Sequence, residues 1–125
     1  MSTLVAQTIS NGTVSTSSAN VIQGSARAWV SFNGNSGASP VIRSSFNVSS
    51  VTRTATGTYT VTMTNAMQDA EYAVVLGCGG RTSNPGDQAG ESMYDTPTTT
   101  VFKIATNNST TALTDIPYVY AAVFR

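Results

Sequence analysis

The chain reads as an all-β protein, an antiparallel β-sandwich that is jelly-roll-like or a flattened barrel, preceded by a short extended arm. Two stretches and one absence predict this. In Ala26-Arg27-Ala28-Trp29-Val30-Ser31-Phe32-Asn33-Gly34, Ala28, Val30 and Phe32 fall on one side and Arg27, Trp29 and Ser31 on the other, the period of two that a pleated strand imposes. The run Ser45-Phe46-Asn47-Val48-Ser49-Ser50-Val51, continued through Gly57 to Tyr59-Thr60-Val61-Thr62, keeps the same period with aromatic and β-branched residues against hydroxylated ones. No helix keeps that period, and nowhere does the sequence call for a helix longer than a turn or two.

Residues 2 to 9 alternate weakly, and Asn11-Gly12 is the dipeptide suited to a tight type I′ turn. Thr13 to Ser25 is Ser-, Thr- and Asn-rich with Val14, Val21 and Ile22 as its only apolar anchors. It holds too little apolar area to order itself and gains order by lying on something else. Residues 1–25 are therefore expected to be an arm and 26–125 the domain. After the first strand, Asn33 to Pro40 is loop chemistry, and Val41 to Ser50 is expected as one strand with Ile42, Phe46 and Val48 inward. Val51 to Arg53, a turn through Gly57, and Thr58 to Thr64 form the clearest hairpin, with Tyr59, Val61 and Met63 on one face and Thr58, Thr60, Thr62 and Thr64 on the other. Asn65 to Ala70 could make a single helical turn before a strand over Glu71 to Cys78 with Tyr72, Val74 and Leu76 inward. Between Gly79 and Pro97 the alternation lapses, so a long loop is expected, and loops this long are usually functional or mobile. Thr98 to Thr106 alternates Phe102, Ile104 and Thr106 against Val101, Lys103 and Ala105. The last strand, Pro117 to Arg125, puts Tyr118, Tyr120, Ala122 and Phe124 on one face and Val119, Ala121 and Val123 on the other. Neither face is polar, which predicts cover on both sides and hence assembly with identical copies.

Composition narrows the function. One chain of 125 residues, with a tenth of them charged and six charges of each sign, is expected to be one domain that buries roughly two-thirds of its unfolded surface. Its surface must be wetted by hydroxyls and amides. Zero net charge disfavours nucleic acid, which is bound largely through Lys and Arg. No apolar run reaches the ~20 residues that cross a bilayer, and the N-terminus lacks the features of a secretory signal. The expectation is a soluble protein made in a cytoplasm, without membrane insertion.

The chemistry of catalysis and metals is sparse. There is no histidine and a single cysteine, Cys78. Ser-His-Asp and Cys-His arrangements, intrachain disulfides and Cys-rich zinc sites are thereby removed. Cys78 is expected as a small buried hydrophobe. Asp69 and Glu71 would share a strand face, as paired carboxylates of glycosidases do, but acidic residues at a strand entrance are usually solvated. Asp87, Glu91 and Asp95 could gather oxygens for calcium if their loop folded back, yet their spacing is not that of an EF-hand. Gly77 to Gly80 follows a strand without the helix or Lys-Ser/Thr pair of a phosphate cradle. No enzyme, cofactor or metal is expected. Trp29 is either a core or sheet-packing tryptophan or a contact for another subunit or a sugar.

The order of five motifs resembles a module that recurs near the C-termini of tail fibres and other attachment proteins of tailed bacteriophages, marine and cyanobacterial ones above all. Its opening is similar to Ala26 to Phe32. Its further steps resemble Ser45 to Val51, Gly57 to Val61 and Ala66 to Val74, and its closing strand resembles Ala121-Ala122-Val123-Phe124-Arg125. The start Met1-Ser2-Thr3-Leu4 and Thr8-Ile9-Ser10-Asn11 also looks like starts of phage structural proteins. Arg27 and Ser31 stand where lysine and asparagine are common, and Arg53-Thr54-Ala55-Thr56 replaces a more acidic turn. The resemblance implies a homotrimeric virion component, a short tail fibre or appendage for host-surface recognition. A capsid decoration is the alternative, and a carbohydrate-degrading tail enzyme a weaker one. On that reading Leu4, Val5 and Ile9 anchor the arm to other virion proteins, and Trp29, Tyr118, Tyr120 and Phe124 form the trimer interface. Asn33, Asn35, Arg81, Asn84, Asp87, Glu91 and Tyr94 face the receptor, a host glycan suited by the aromatic face of Tyr94 and the amide of Asn84.

Overall fold

The computed structural model describes residues 2–80, 90–108 and 110–125. It is an all-β antiparallel sandwich. A four-stranded sheet takes the order β4 (Val41–Phe46), β3 (Ala28–Asn33), β10 (Tyr118–Phe124), β7 (Ala73–Gly79), and a second four-stranded sheet the order β5 (Val48–Ala55), β6 (Thr58–Met63), β9 (Val101–Asn107), β8 (Gly90–Met93). The chain lays the β3–β4 hairpin in the first sheet and the β5–β6 hairpin in the second, returns for β7, crosses for the β8–β9 hairpin and ends in the first sheet as β10.

In each long strand the inward residues fall on one side of its alternation. Ala28, Val30 and Phe32 of β3 and Val119, Ala121 and Val123 of β10 meet Val51, Tyr59, Val61, Met63, Phe102 and Ile104 of the facing sheet, all buried. Phe32 stands edge-on to Tyr59 with ring centroids 5.1 Å apart, and Tyr72 edge-on to Phe102 at 6.5 Å. Each such side chain contributes about 1.5–3 kcal/mol when fully buried. Ile116 closes the core at one end, and Met67 and Tyr72 close it at the other, where the Met67 N–H reaches the Thr99 carbonyl at 2.7 Å.

Several expectations are corrected. Val41 to Ser50 is two strands in two sheets, because Asn47 takes a left-handed φ of 54° at a corner. Its side-chain carbonyl accepts the Asn65 N–H at 2.8 Å, and its amide donates to the Arg27 and Asn65 carbonyls at 3.1 and 3.2 Å. Asparagine tolerates that backbone region better than other non-glycine residues. Phe46 points outward, 55 % exposed, because the register shifts between Ser31 and Phe32 and skips Arg43 on β4, reversing the parity of the later residues of that strand. Asn65 to Ala70 forms bends and no helical turn. The stretch from Gly79 to Pro97 contains β8, a four-residue strand paired to β9. Cys78 is half-buried.

The arm holds more regular structure than its composition promised. β1 (Thr8–Ser10) pairs with β2 (Ser15–Ser17), and a seven-residue helix, α1 (Ser18–Gly24), follows, capped by the Ser17 hydroxyl, which accepts the Asn20 N–H at 3.2 Å. The hairpin loop runs from Asn11 to Val14 in place of a two-residue type I′ turn. The Asn11 side chain accepts the Thr13 and Val14 N–H groups, and only Gly12 takes positive φ.

Candidate interaction faces

The sandwich has two outer faces, and they differ in chemistry. On the first sheet, pairing register places Phe46, Trp29, Ala122 and Val75 in one row across all four strands, and Ser44, Ser31, Tyr120 and Gly77 in the next. Trp29, Phe46, Val75, Tyr118 and Tyr120 are all exposed large hydrophobics. Trp29 and Tyr120 flank a shallow groove of about 310 Å³, with Val75, Gly77 and Ala122 among its lining residues. The four strands carry one charged residue, Arg43, and its guanidinium lies 4.2 Å from the centre of the Tyr118 ring. That ring lies against Gly80, whose positive φ of 75° and lack of Cβ make room for it. The four residues nominated for the trimer interface, Trp29, Tyr118, Tyr120 and Phe124, therefore share this face. The core reading of Trp29 fails, because its neighbours Ala28 and Val30 take the inward positions.

The second sheet turns out hydroxyls. Its outer rows are Ser50, Thr62 and Val101, then Thr52, Thr60 and Lys103, then Thr58, Ala105 and Ser92. Tyr94 follows β8 with its N–H on the Lys103 carbonyl at 3.2 Å, and its hydroxyl lies 3.4 Å from the Thr54 hydroxyl. The Lys103 ammonium stands 5.9 Å from the Tyr94 ring centre and donates to Asp95. That hydrogen bond, with the opposite charge, raises the Lys103 pKa, and the same bond from Lys103 lowers that of Asp95. Tyr94 thus stands by a polar sheet face, between a threonine and an ion-paired lysine.

At the end of the sandwich remote from the arm, Asp115 gathers the connections. Its carboxylate accepts the Arg53 guanidinium at 2.9 Å, the Gly57 N–H at 2.8 Å and the Tyr59 hydroxyl at 2.9 Å. Burial opposes its ionisation, but these donors outweigh it and hold its pKa below the usual carboxylate range. Burial, with the Asp115 charge, pushes Tyr59 up to about 12. Gly57, at φ 66°, has no room for a Cβ because the Thr106 carbonyl and the Thr114 N–H close over it. The hydrogen bonds pin the β9–β10 connection onto the β5–β6 turn, a structural role that sequence spacing did not signal because Asp115 lies 62 residues from Arg53.

Asn33 and Asn35 lie at this remote end, where the Asn33 side chain accepts the Asn35 N–H at 3.0 Å. Glu91 does not face outward with them. It is on β8 and accepts a hydrogen bond from the Cys78 thiol at 3.1 Å, joining the two sheets. Burial and the Glu91 carboxylate push the Cys78 thiol up to about 12, so it stays protonated and unreactive at neutral pH. Arg81, Asn84 and Asp87 lie outside the described residues. Asp69 is engaged by Arg125 and by the Glu71 N–H, which makes the Asp69–Arg125 contact a strand-entrance ion pair. Among the described residues no three Cys, Asp or Glu side chains are grouped to hold a metal, and no helix is long and apolar enough to cross a membrane. Leu4 and Val5 are 92 % and 86 % exposed, and with Ile9, Val21 and Ile22 they line an apolar groove of about 380 Å³ on the arm. Compared with protein-family models, with curated proteins and with solved structures, the chain matches none.

Proposed function

We propose that this chain is a virion attachment protein of the tailed-bacteriophage kind, a short fibre or appendage whose sandwich assembles as a homotrimer and presents its polar surface to the host. The observation that carries the reading is the asymmetry of the outer faces. The aromatic first-sheet face, with Arg43 as its one charge, suits burial between copies, since exposed apolar patches of this kind mark association surfaces. The threonine-rich second-sheet face with Tyr94, together with the remote Asn33–Pro40 loop, is what such an assembly leaves in water. Hydroxyls, amides and one flat aromatic ring suit a glycan of the host surface. The motif order from Ala26 to Arg125 supports the same assignment.

The test has two arms. Fluorescently labelled protein incubated with susceptible cells should bind them, and binding should be competed by surface polysaccharide from the same cells. Loss of attachment in Tyr94→Ala with the sandwich intact would place the contact on the hydroxyl face. Absence of cell binding, combined with stabilised capsids on addition of the protein, overturns host recognition and makes the chain a capsid decoration.

A further inference from the structure

We infer that the arm of one copy covers the aromatic first-sheet face of the next copy. This rests on the homotrimeric assembly proposed for the chain and replaces the assignment of Leu4, Val5 and Ile9 to a virion partner.

Two apolar surfaces lie exposed among the described residues. One is the Phe46–Trp29–Ala122–Val75 row with Tyr120 beside it. The other is the arm groove lined by Leu4, Val5, Ile9, Val21 and Ile22. The arm covers little of this apolar surface by itself. β1 meets β2, β2 meets α1, and α1 buries no residue at all.

The two surfaces also match in charge. From Ser2 to Ala26 there is no charged side chain, and the only charge in the four strands beneath the aromatic row is Arg43, which is occupied on Tyr118. Bringing these surfaces together leaves no ion without a partner, and it removes from water apolar groups that would otherwise stay exposed in every copy. Position favours the exchange. Ser25, Ala26 and Arg27 line one cleft with Phe46 and Arg125, so the arm leaves the sandwich at the margin of the aromatic face.

The contact joins two different patches and is heterologous, the kind that forms a ring such as a trimer where the rotation from copy to copy closes. Two aromatic faces meeting each other would give a two-fold dimer instead.

Full-length chains in a Cys78→Ser background test this. One population carries Ile22→Cys and the other Val75→Cys. Mixed, allowed to exchange and oxidised, they should give a disulfide-linked pair on a denaturing gel that neither population gives alone. Ile22→Asp should weaken association at least tenfold in sedimentation while the circular-dichroism spectrum stays β-type. A wild-type chain that sediments as a single subunit would sink the assembly reading and this inference together. A wild-type oligomer in which only Val75→Cys chains cross-link with each other, or which Ile22→Asp leaves undisturbed, would overturn the arm contact alone.

Discussion

The two sheets of this sandwich share one core and differ on their outer surfaces. Beneath, both are equally apolar: Phe32 of β3 and Val119, Ala121 and Val123 of β10 meet Tyr59, Val61 and Phe102 in one buried cluster. Outside, β6 offers Thr58, Thr60 and Thr62, whereas β3 and β10 offer Trp29, Tyr118 and Tyr120. Burial fixes only every second residue of a strand, so the other half is free to record what the face meets. A threonine face records water, or a ligand bearing hydroxyls. The tryptophan and tyrosine face, with its one cation stacked on a ring, is the one that the proposed assembly would cover.

The shared core is the place to break both faces at once. Phe102→Ala should cost about 3–5 kcal/mol in denaturant unfolding, the range for truncating a buried aromatic residue. A loss near zero would mean the sheets are not packed as described. Next comes the polar clasp that both sheets depend on. Asp115→Ala removes the acceptor of the Gly57 N–H and the Tyr59 hydroxyl and should cost about 2 kcal/mol, since hydrogen bonds to an ionised group are worth more than neutral ones.

Acid probes this clasp at Asp115, and alkali probes it at Tyr59 together with the separate Cys78 thiol. The Asp115 pKa is lowered in the folded chain, so its contribution is complete above the ordinary carboxylate range and is lost as pH falls through the folded value. Tyr59 and Cys78 are raised, each to about 12, so their contributions hold at neutral pH. They are lost as pH rises from the ordinary thiol and phenol values toward about 12, the thiol first. Unfolding midpoints measured against pH should fall at both extremes, and Cys78→Ala should delay the onset of the alkaline fall. An unchanged alkaline onset in that variant would disprove the burial of the thiol.

The faces themselves should respond unequally. Trp29→Glu puts a charge on the aromatic face and should weaken association at least tenfold, which is about 1.4 kcal/mol, with the fold retained. Thr60→Glu, on the opposite face, should leave association unchanged. Smallest of all, Thr60→Ala should alter unfolding free energy by no more than about 0.5 kcal/mol, as surface substitutions do. Equal effects of Trp29→Glu and Thr60→Glu on association would erase the distinction between the faces.

Legibility followed the range of the forces involved. The β5–β6 hairpin, the two-sided alternation of β3, β9 and β10, and the breadth of apolar surface on the last strand were readable, because period-two alternation and a turn glycine act over a few residues. β8 was not readable, since four residues with Met93 as the one apolar side chain leave almost no period to detect. Phe46 was misassigned because a register shift opposite Ser31 and Phe32 is decided by the partner strand. Of the nominated surface residues, the aromatic four converge on one face, but Glu91 turns toward Cys78, while Tyr94, just after β8, lies beside the hydroxyl face.

What the sequence determined by itself is the pleated character of each long segment and how its residues divide between two sides, for alternation is a local property. The tertiary structure decided which strands are neighbours, and hence that Phe46, Trp29, Ala122 and Val75 form one row and that Asp115 clasps a turn 58 residues away. Those pairings join residues far apart in the chain. They are selected only when two sheets close over a common core.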